Sequence, residues 1–252
     1  MEKWIGKVAI VTGASAGIGE GIVKSLAKSG IHVVGLARRS EKVDEYVQQL
    51  GKTPGTIYSH KCDVSDLQSV KEAFKWIEEK FGFIHILINN AGVAYKMQIL
   101  DEADVTEKID SILKTNVSGL VYCTREAVRL MKKADDYGMI VNVGSIVGHN
   151  IPFRPNSLNM YAPSKYAVTA VSEVLRQELI NQNNQKIRVT NLSPGHVRTD
   201  MATPSNVDPD EYYATKSVLM PEDVALTINF LLETPVHVNI SQLTIKPVGE
   251  QF

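Results

Sequence analysis

Tyr161 and Lys165 stand four residues apart in the run Asn159-Met-Tyr-Ala-Pro-Ser-Lys-Tyr166, so on a helix a phenol and an ammonium share one face. A cation beside a phenol favours the phenolate and draws its pKa down from about 10, which makes the tyrosine usable as an acid or a base. The same spacing also suits an ordinary pair on a solvated helix. The pair therefore needs support from the rest of the chain.

Near the amino end, residues 7–12 form an apolar run that reads as a buried strand. Gly13-Ala-Ser15-Ala-Gly17-Ile18-Gly19 follows at once, and then a helical pattern through Ile22, Val23, Leu26 and Ala27. A glycine turn between a strand and a helix lets backbone approach a ligand, and the helix start offers free N–H groups and a positive dipole end to a pyrophosphate. Three glycines would equally serve a plain tight turn.

These residues must be positioned by a frame, and the patterning supplies one. Strand-like runs at 7–12, 32–37, 56–62, 85–89, 139–145, 187–193 and 241–246 alternate with amphipathic helical stretches. Seven strands with helices between them imply a parallel sheet covered on both faces. Right-handed crossovers make it a doubly wound α/β sheet of the Rossmann type, with ligands beyond the carboxyl ends of the strands. The chain has 252 residues, 44% hydrophobic and 22% charged, which fits one α/β domain over 1–252. The stretch 193–221, rich in Pro, Thr, Ser and Asp, reads as a surface loop or as a substrate lid over 195–220.

The charge balance, 27 basic against 28 acidic residues, gives no footprint for nucleic acid. No apolar run approaches a membrane span of ~20 residues, and the first residues lack a signal-peptide stretch, so a cytoplasmic location is expected. Cys62 and Cys123 read as buried free thiols. The six histidines show no metal-ligand clustering.

Thr12, Gly13, Gly17 and Gly19 resemble the Thr-Gly-x-x-x-Gly-x-Gly turn of the short-chain dehydrogenase/reductase family. Asn89-Asn90-Ala91-Gly92, Asn116-Val-Ser-Gly119, Ser145, Tyr161 with Lys165, and Ser193-Pro194-Gly195 follow in that family's order. The resemblance covers nearly the whole chain and implies a dehydrogenase with Asn116, Ser145, Tyr161 and Lys165 as its catalytic tetrad. In that scheme Tyr161 exchanges a proton with the substrate oxygen and Ser145 holds that oxygen. Lys165 lowers the tyrosine pKa and holds the nicotinamide ribose, and Asn116 supports a water leading to the lysine. Asn116-Val-Ser118 also matches a glycosylation sequon, a reading that a cytosolic interior position disfavours.

By the same resemblance Gly13, Ser15, Gly17, Ile18 and Gly19 cradle the dinucleotide, Asp63 and Val64 meet the adenine, and Asn90 lies along its ribose. Val197 and Thr199 bind the carboxamide. At the end of the second strand such folds place the adenine ribose, where an acidic residue would bond the 2′-hydroxyl of NAD. Arg38 and Arg39 stand there instead. Guanidinium groups fork onto a 2′-phosphate, which selects NADP, although two exposed arginines could also merely end a strand.

Ser145 precedes Tyr161 by sixteen positions, a longer gap than the family's usual one. With Tyr-Ala-Pro-Ser-Lys-Tyr-Ala-Val-Thr-Ala and the late Ile245-Lys-Pro-Val, it most resembles the insect farnesol-dehydrogenase group and its vertebrate ketosteroid-reductase relatives. A bulky apolar alcohol or carbonyl such as an acyclic terpenoid is implied. Alternatives are a ketosteroid or xenobiotic carbonyl reductase and a non-catalytic NADP-binding scaffold. Apolar pocket candidates are Tyr95, Met97, Val147, Ile151, Phe153, Met201 and Met220, with His149 and His196 close to the motifs. Helical patterns over 107–133 and 161–182 carry Asn116 and the Tyr161/Lys165 pair. In the family their outer faces pack on a second subunit, which implies a homodimer or homotetramer.

Overall fold

The computed structural model describes residues 1–152, 159–201, 203 and 207–250. Seven parallel strands, β1 (Val8–Thr12), β2 (His32–Ala37), β3 (Ile57–Lys61), β4 (Ile86–Asn89), β5 (Gly138–Val143), β6 (Ile187–Pro194) and β7 (Gln242–Ile245), form one sheet. Their order is β3-β2-β1-β4-β5-β6-β7. The order reverses between β1 and β4, so the crevice between their carboxyl ends is the place for a ligand.

Within β1 the side chains alternate between two apolar layers. Ala9 and Val11 join one cluster, and Val8 and Ile10 join the other, as the two-residue period of a strand requires. The first layer is closed by α1 (Gly17–Lys28), α2 (Ser40–Leu50) and α8 (Pro221–Glu233) through Ile22, Leu26, Val43 and Ile228. The second is closed by α3 (Leu67–Phe81), α5 (Leu120–Ala134) and α6 (Tyr161–Asn181) through Phe74, Ile77, Leu130 and Leu179. Phe74 is fully buried, and truncation to Ala at such a site costs about 3–5 kcal/mol. Two shorter helices, α4 (Thr106–Leu113) and α7 (Pro209–Tyr213), edge the carboxyl end of the sheet.

The expected helix over 107–133 is broken. Between α4 and α5, Lys114–Gly119 forms a π-helical turn that contains Asn116. A Cβ at Gly119 would lie 2.7 Å from the Val64 carbonyl oxygen. The turn thus lets the helix pass against the loop after β3, and such turns recur at functional sites. No helix among the described residues is long and apolar enough to cross a membrane.

Candidate active site

The motifs converge on one cleft of about 870 Å³ at the carboxyl end of the sheet. Its floor is the turn after β1, where Gly13 and Gly17 take left-handed φ of +66° and +56°, conformations that favour glycine. A Cβ at Gly19 would come 2.2 Å from the Gly13 carbonyl oxygen and 2.7 Å from Asn90 Nδ2. The turn is stitched to the end of β4 from both sides. Asn90 Nδ2 donates to the Thr12 carbonyl at 2.9 Å and to the Gly13 carbonyl at 3.2 Å. The backbone N–H groups of Asn90 and Ala91 donate to Thr12 Oγ1, each at 3.0 Å.

Gly13, Ser15, Gly17, Ile18, Arg38, Arg39, Asp63, Val64, Asn90, Val197 and Thr199 all line the cleft. Gly19 lies beneath the turn. Arg38 and Arg39 are exposed, and among the described residues neither makes an ion pair. One Asp63 carboxylate oxygen accepts from the Ser65 N–H at 3.0 Å and from its hydroxyl at 2.7 Å. Across the cleft, Val197 bridges to Leu219, and the Thr199 methyl sits 3.1 Å from where a Gly17 Cβ would be.

Ser145 follows β5 by two residues and caps a short turn, its Oγ accepting from the Val147 N–H at 3.3 Å. Tyr161 opens α6 and Lys165 lies one turn later. Both line the cleft with Ser145. Lys165 is buried, its Nζ donates to the Val143 carbonyl at 2.8 Å, and it lies 5.6 Å from the Tyr161 ring centre. Burial drives its pKa down to about 8. Burial pushes the Tyr161 phenol up to about 12, opposed by a hydrogen bond with the Ser145 side chain. Desolvation thus governs the phenol, whereas the sequence reading has the lysine drawing it down.

Asn116 is buried, and its carboxamide is committed to neighbours. Oδ1 accepts from the Val93 N–H at 2.8 Å, and Nδ2 donates to the Val93 carbonyl and to Ser164 Oγ, both at 3.0 Å. It thereby fixes the segment after β4 to α6.

Of the apolar candidates, Tyr95, Val147 and Met201 reach the cleft. Met97 packs behind the wall with Val105 and Ile112. Ile151 and Met220 are exposed, and Met220 caps α8 instead. Phe153 lies outside the described residues. His196 lines the cleft, whereas His149 turns to Ser193 Oγ at 2.8 Å. Sequence reasoning missed Gly249 and Glu250, which also line the cleft. Glu250 Oε1 accepts from the His196 N–H at 3.1 Å. No local pattern marks residues brought in from so far along the chain. Among the described residues no group of three or more His, Cys, Asp or Glu is placed to hold a metal ion.

Residues 7–210 match the family model for short-chain dehydrogenases. The chain belongs to the short-chain dehydrogenase/reductase family. It is accordingly an oxidoreductase. Farnesol dehydrogenase from Aedes aegypti is 43% identical over 253 residues, with both chains covered completely. Dehydrogenase/reductase SDR family member 11 from Homo sapiens is 37% identical, covering 99% of this chain and 97% of the relative. Among solved structures, serine dehydrogenase in its closed form with NADP+ superposes with a TM-score of 0.85 at 31% identity, covering 97% and 96% of the two chains. An alcohol dehydrogenase from Thermococcus sibiricus complexed with 5-hydroxy-NADP gives 0.82 at 28% identity, covering 96% and 97%.

Proposed function

We propose that this short-chain dehydrogenase uses NADP(H) to interconvert a hydrophobic, farnesol-like alcohol and its carbonyl compound. The observation that carries the reading is the single cleft in which Ser145, Tyr161 and Lys165 face the glycine turn and the Arg38/Arg39 pair. The residues present fit the cofactor. A turn whose glycines leave no room for a Cβ admits a pyrophosphate against backbone N–H groups, and two exposed guanidinium groups without an ion pair among the described residues suit a 2′-phosphate. When bound, NADP(H) supplies or accepts the hydride.

The chain's own residues manage the proton and the oxygen. Tyr161 exchanges the proton with the substrate oxygen, and Ser145 holds that oxygen and stabilises the charge developing on it. Lys165, tethered to Val143 and 5.6 Å from the Tyr161 ring centre, puts a positive charge near the phenol and would hold the nicotinamide ribose. Asn116 holds Val93 and α6 in mutual position, and an ordered water beside it would lead protons to Lys165. Asp63, Val64 and Asn90 would hold the adenosine half, and Val197 and Thr199 the carboxamide. Of the expected lid over 195–220, residues 202 and 204–206 lie outside the described residues; the described part carries α7 and the cleft residues His196 and Met201 and would border the substrate.

A terpenoid substrate rests on the likeness to farnesol dehydrogenase and on the apolar wall of Tyr95, Ile146, Val147 and Met201. A second reading is a ketosteroid or xenobiotic carbonyl substrate, which the same apolar wall would accept. Tyr166, Val174 and Ile180 leave an apolar strip exposed on α6. A second copy covering it would give a dimer or tetramer, checked by light scattering. The deciding experiment follows nicotinamide absorbance with NADP+ and NAD+ against terpenoid alcohols, hydroxysteroids and aromatic alcohols. Turnover of farnesol or geraniol with NADP+ is expected. Turnover confined to steroids or small carbonyls would transfer the mechanism to the second reading.

A further inference from the structure

Asn159 joins two parts of the site, and none of the roles given above uses it. Its backbone is left-handed, with φ of +38°, a region that Asn tolerates better than most residues. Its side chain lines the cleft and makes three hydrogen bonds. Nδ2 donates to the Tyr95 carbonyl at 2.8 Å and to the Met97 carbonyl at 3.1 Å. Oδ1 accepts from the Tyr161 backbone N–H at 3.2 Å, one of the donors that a helix start leaves without an intrahelical partner.

One carboxamide thus spans from the 95–97 wall to the first residue of α6. The wall is braced from behind as well. Tyr95 Oη and Ser111 Oγ are 2.9 Å apart, and Met97 packs with Val105 and Ile112, joined by Met160. Because the wall has this independent support, Asn159 is not required merely to keep it folded. What the bridge fixes is the spacing between the wall and the residue that carries the phenol.

We propose that Asn159 is a positioning residue that sets the distance between the Tyr161 hydroxyl and the 95–97 wall, and so selects long apolar alcohols over short ones. This rests on the reading of Tyr161 as the proton-exchanging group and of the substrate as a hydrophobic alcohol. A long chain lies along Tyr95, the residue of this wall that lines the cleft, while its hydroxyl meets Tyr161, so it needs both at a fixed separation. A short alcohol needs Tyr161 alone.

The test compares wild type, Asn159→Gly and Asn159→Asp with farnesol and with prenol, measuring kcat, KM, NADP+ affinity and the melting midpoint. Glycine adopts the left-handed backbone freely and deletes all three bonds. Aspartate keeps the shape and the acceptor for Tyr161 but turns an acceptor towards two carbonyls. In both variants the farnesol-to-prenol ratio of kcat/KM should fall roughly tenfold, chiefly through the KM for farnesol, with NADP+ affinity within about twofold of wild type. If the aspartate variant does not fold, the glycine variant decides. An active wild type with an unchanged ratio in folded Asn159→Gly overturns this inference alone, as does a uniform loss on both alcohols. A wild type inert towards both alcohols overturns the underlying function and the inference with it.

Discussion

Replacing Arg38 by Asp and Arg39 by Ile should reverse the cofactor preference, and the structure gives the size of the effect. Both guanidinium groups line the cleft beyond β2, are exposed and make no ion pair among the described residues. Among the described residues no carboxylate competes with a 2′-phosphate for them. A hydrogen bond to a charged group contributes about 1.5–3 kcal/mol, and exposure to solvent selects the lower end. Two such contacts amount to about 3 kcal/mol, or a loss of roughly 100-fold in NADP+ affinity. NAD+ lacks the phosphate, so its affinity should hold or improve, because the introduced carboxylate offers an acceptor to the ribose hydroxyl. Equilibrium titration of both dinucleotides, at low and at high salt, measures this directly. The wild-type preference for NADP+ should weaken as salt rises, because exposed charges are screened. An unchanged NADP+ affinity in the double variant would refute the reasoning and put the phosphate elsewhere.

Gly19→Ala should weaken NADP+ binding at least about tenfold and destabilise the protein by roughly 1–3 kcal/mol, because its Cβ would fall 2.2 Å from the Gly13 carbonyl oxygen; wild-type affinity and melting would contradict this. At the opposite end of the sheet His85 is buried, with its pKa lowered to about 4 by desolvation and by the Lys7 charge, against the raising effect of Asp136. The unfolded chain takes up that proton near pH 6.5 and the folded one does not, so urea stability should fall by up to about 3 kcal/mol between about pH 6.5 and pH 4. His85→Gln should flatten that dependence, and an unaltered slope would remove His85 as its source. With the Tyr161 phenol pushed up to about 12, the neutral form dominates. Alcohol oxidation, which needs the phenolate, should therefore accelerate from about pH 6 to about pH 8 while carbonyl reduction does not. An oxidation rate flat across that range under single-turnover conditions would count against Tyr161 as the base.

The central strands were legible because they are apolar runs that end at a motif, as β1 ends at Thr12 and β4 at Asn89. The cleft residues follow from that, since a parallel sheet delivers all such ends to one edge. The π-turn at Lys114–Gly119 was not legible. It answers to the close passage of Gly119 against the Val64 carbonyl, a tertiary contact that helical periodicity does not encode. The direction of the Tyr161 shift was missed for a related reason. Spacing places an ammonium on the same helix face, but the depth of burial and the Val143 carbonyl that holds Lys165 are set by β5. Glu250 and Asn159 enter the site through a tail and a left-handed turn, neither of which carries a periodic signal.

The most direct measurement of the central claim is turnover of farnesol with saturating NADP+ by wild type and Tyr161→Phe, with NADP+ binding measured on the same samples. The variant should lose activity by about 10²- to 10⁴-fold, the range of general acid–base catalysis, while its NADP+ affinity stays close to that of wild type. A phenylalanine variant that turns over farnesol at the wild-type rate would contradict the account.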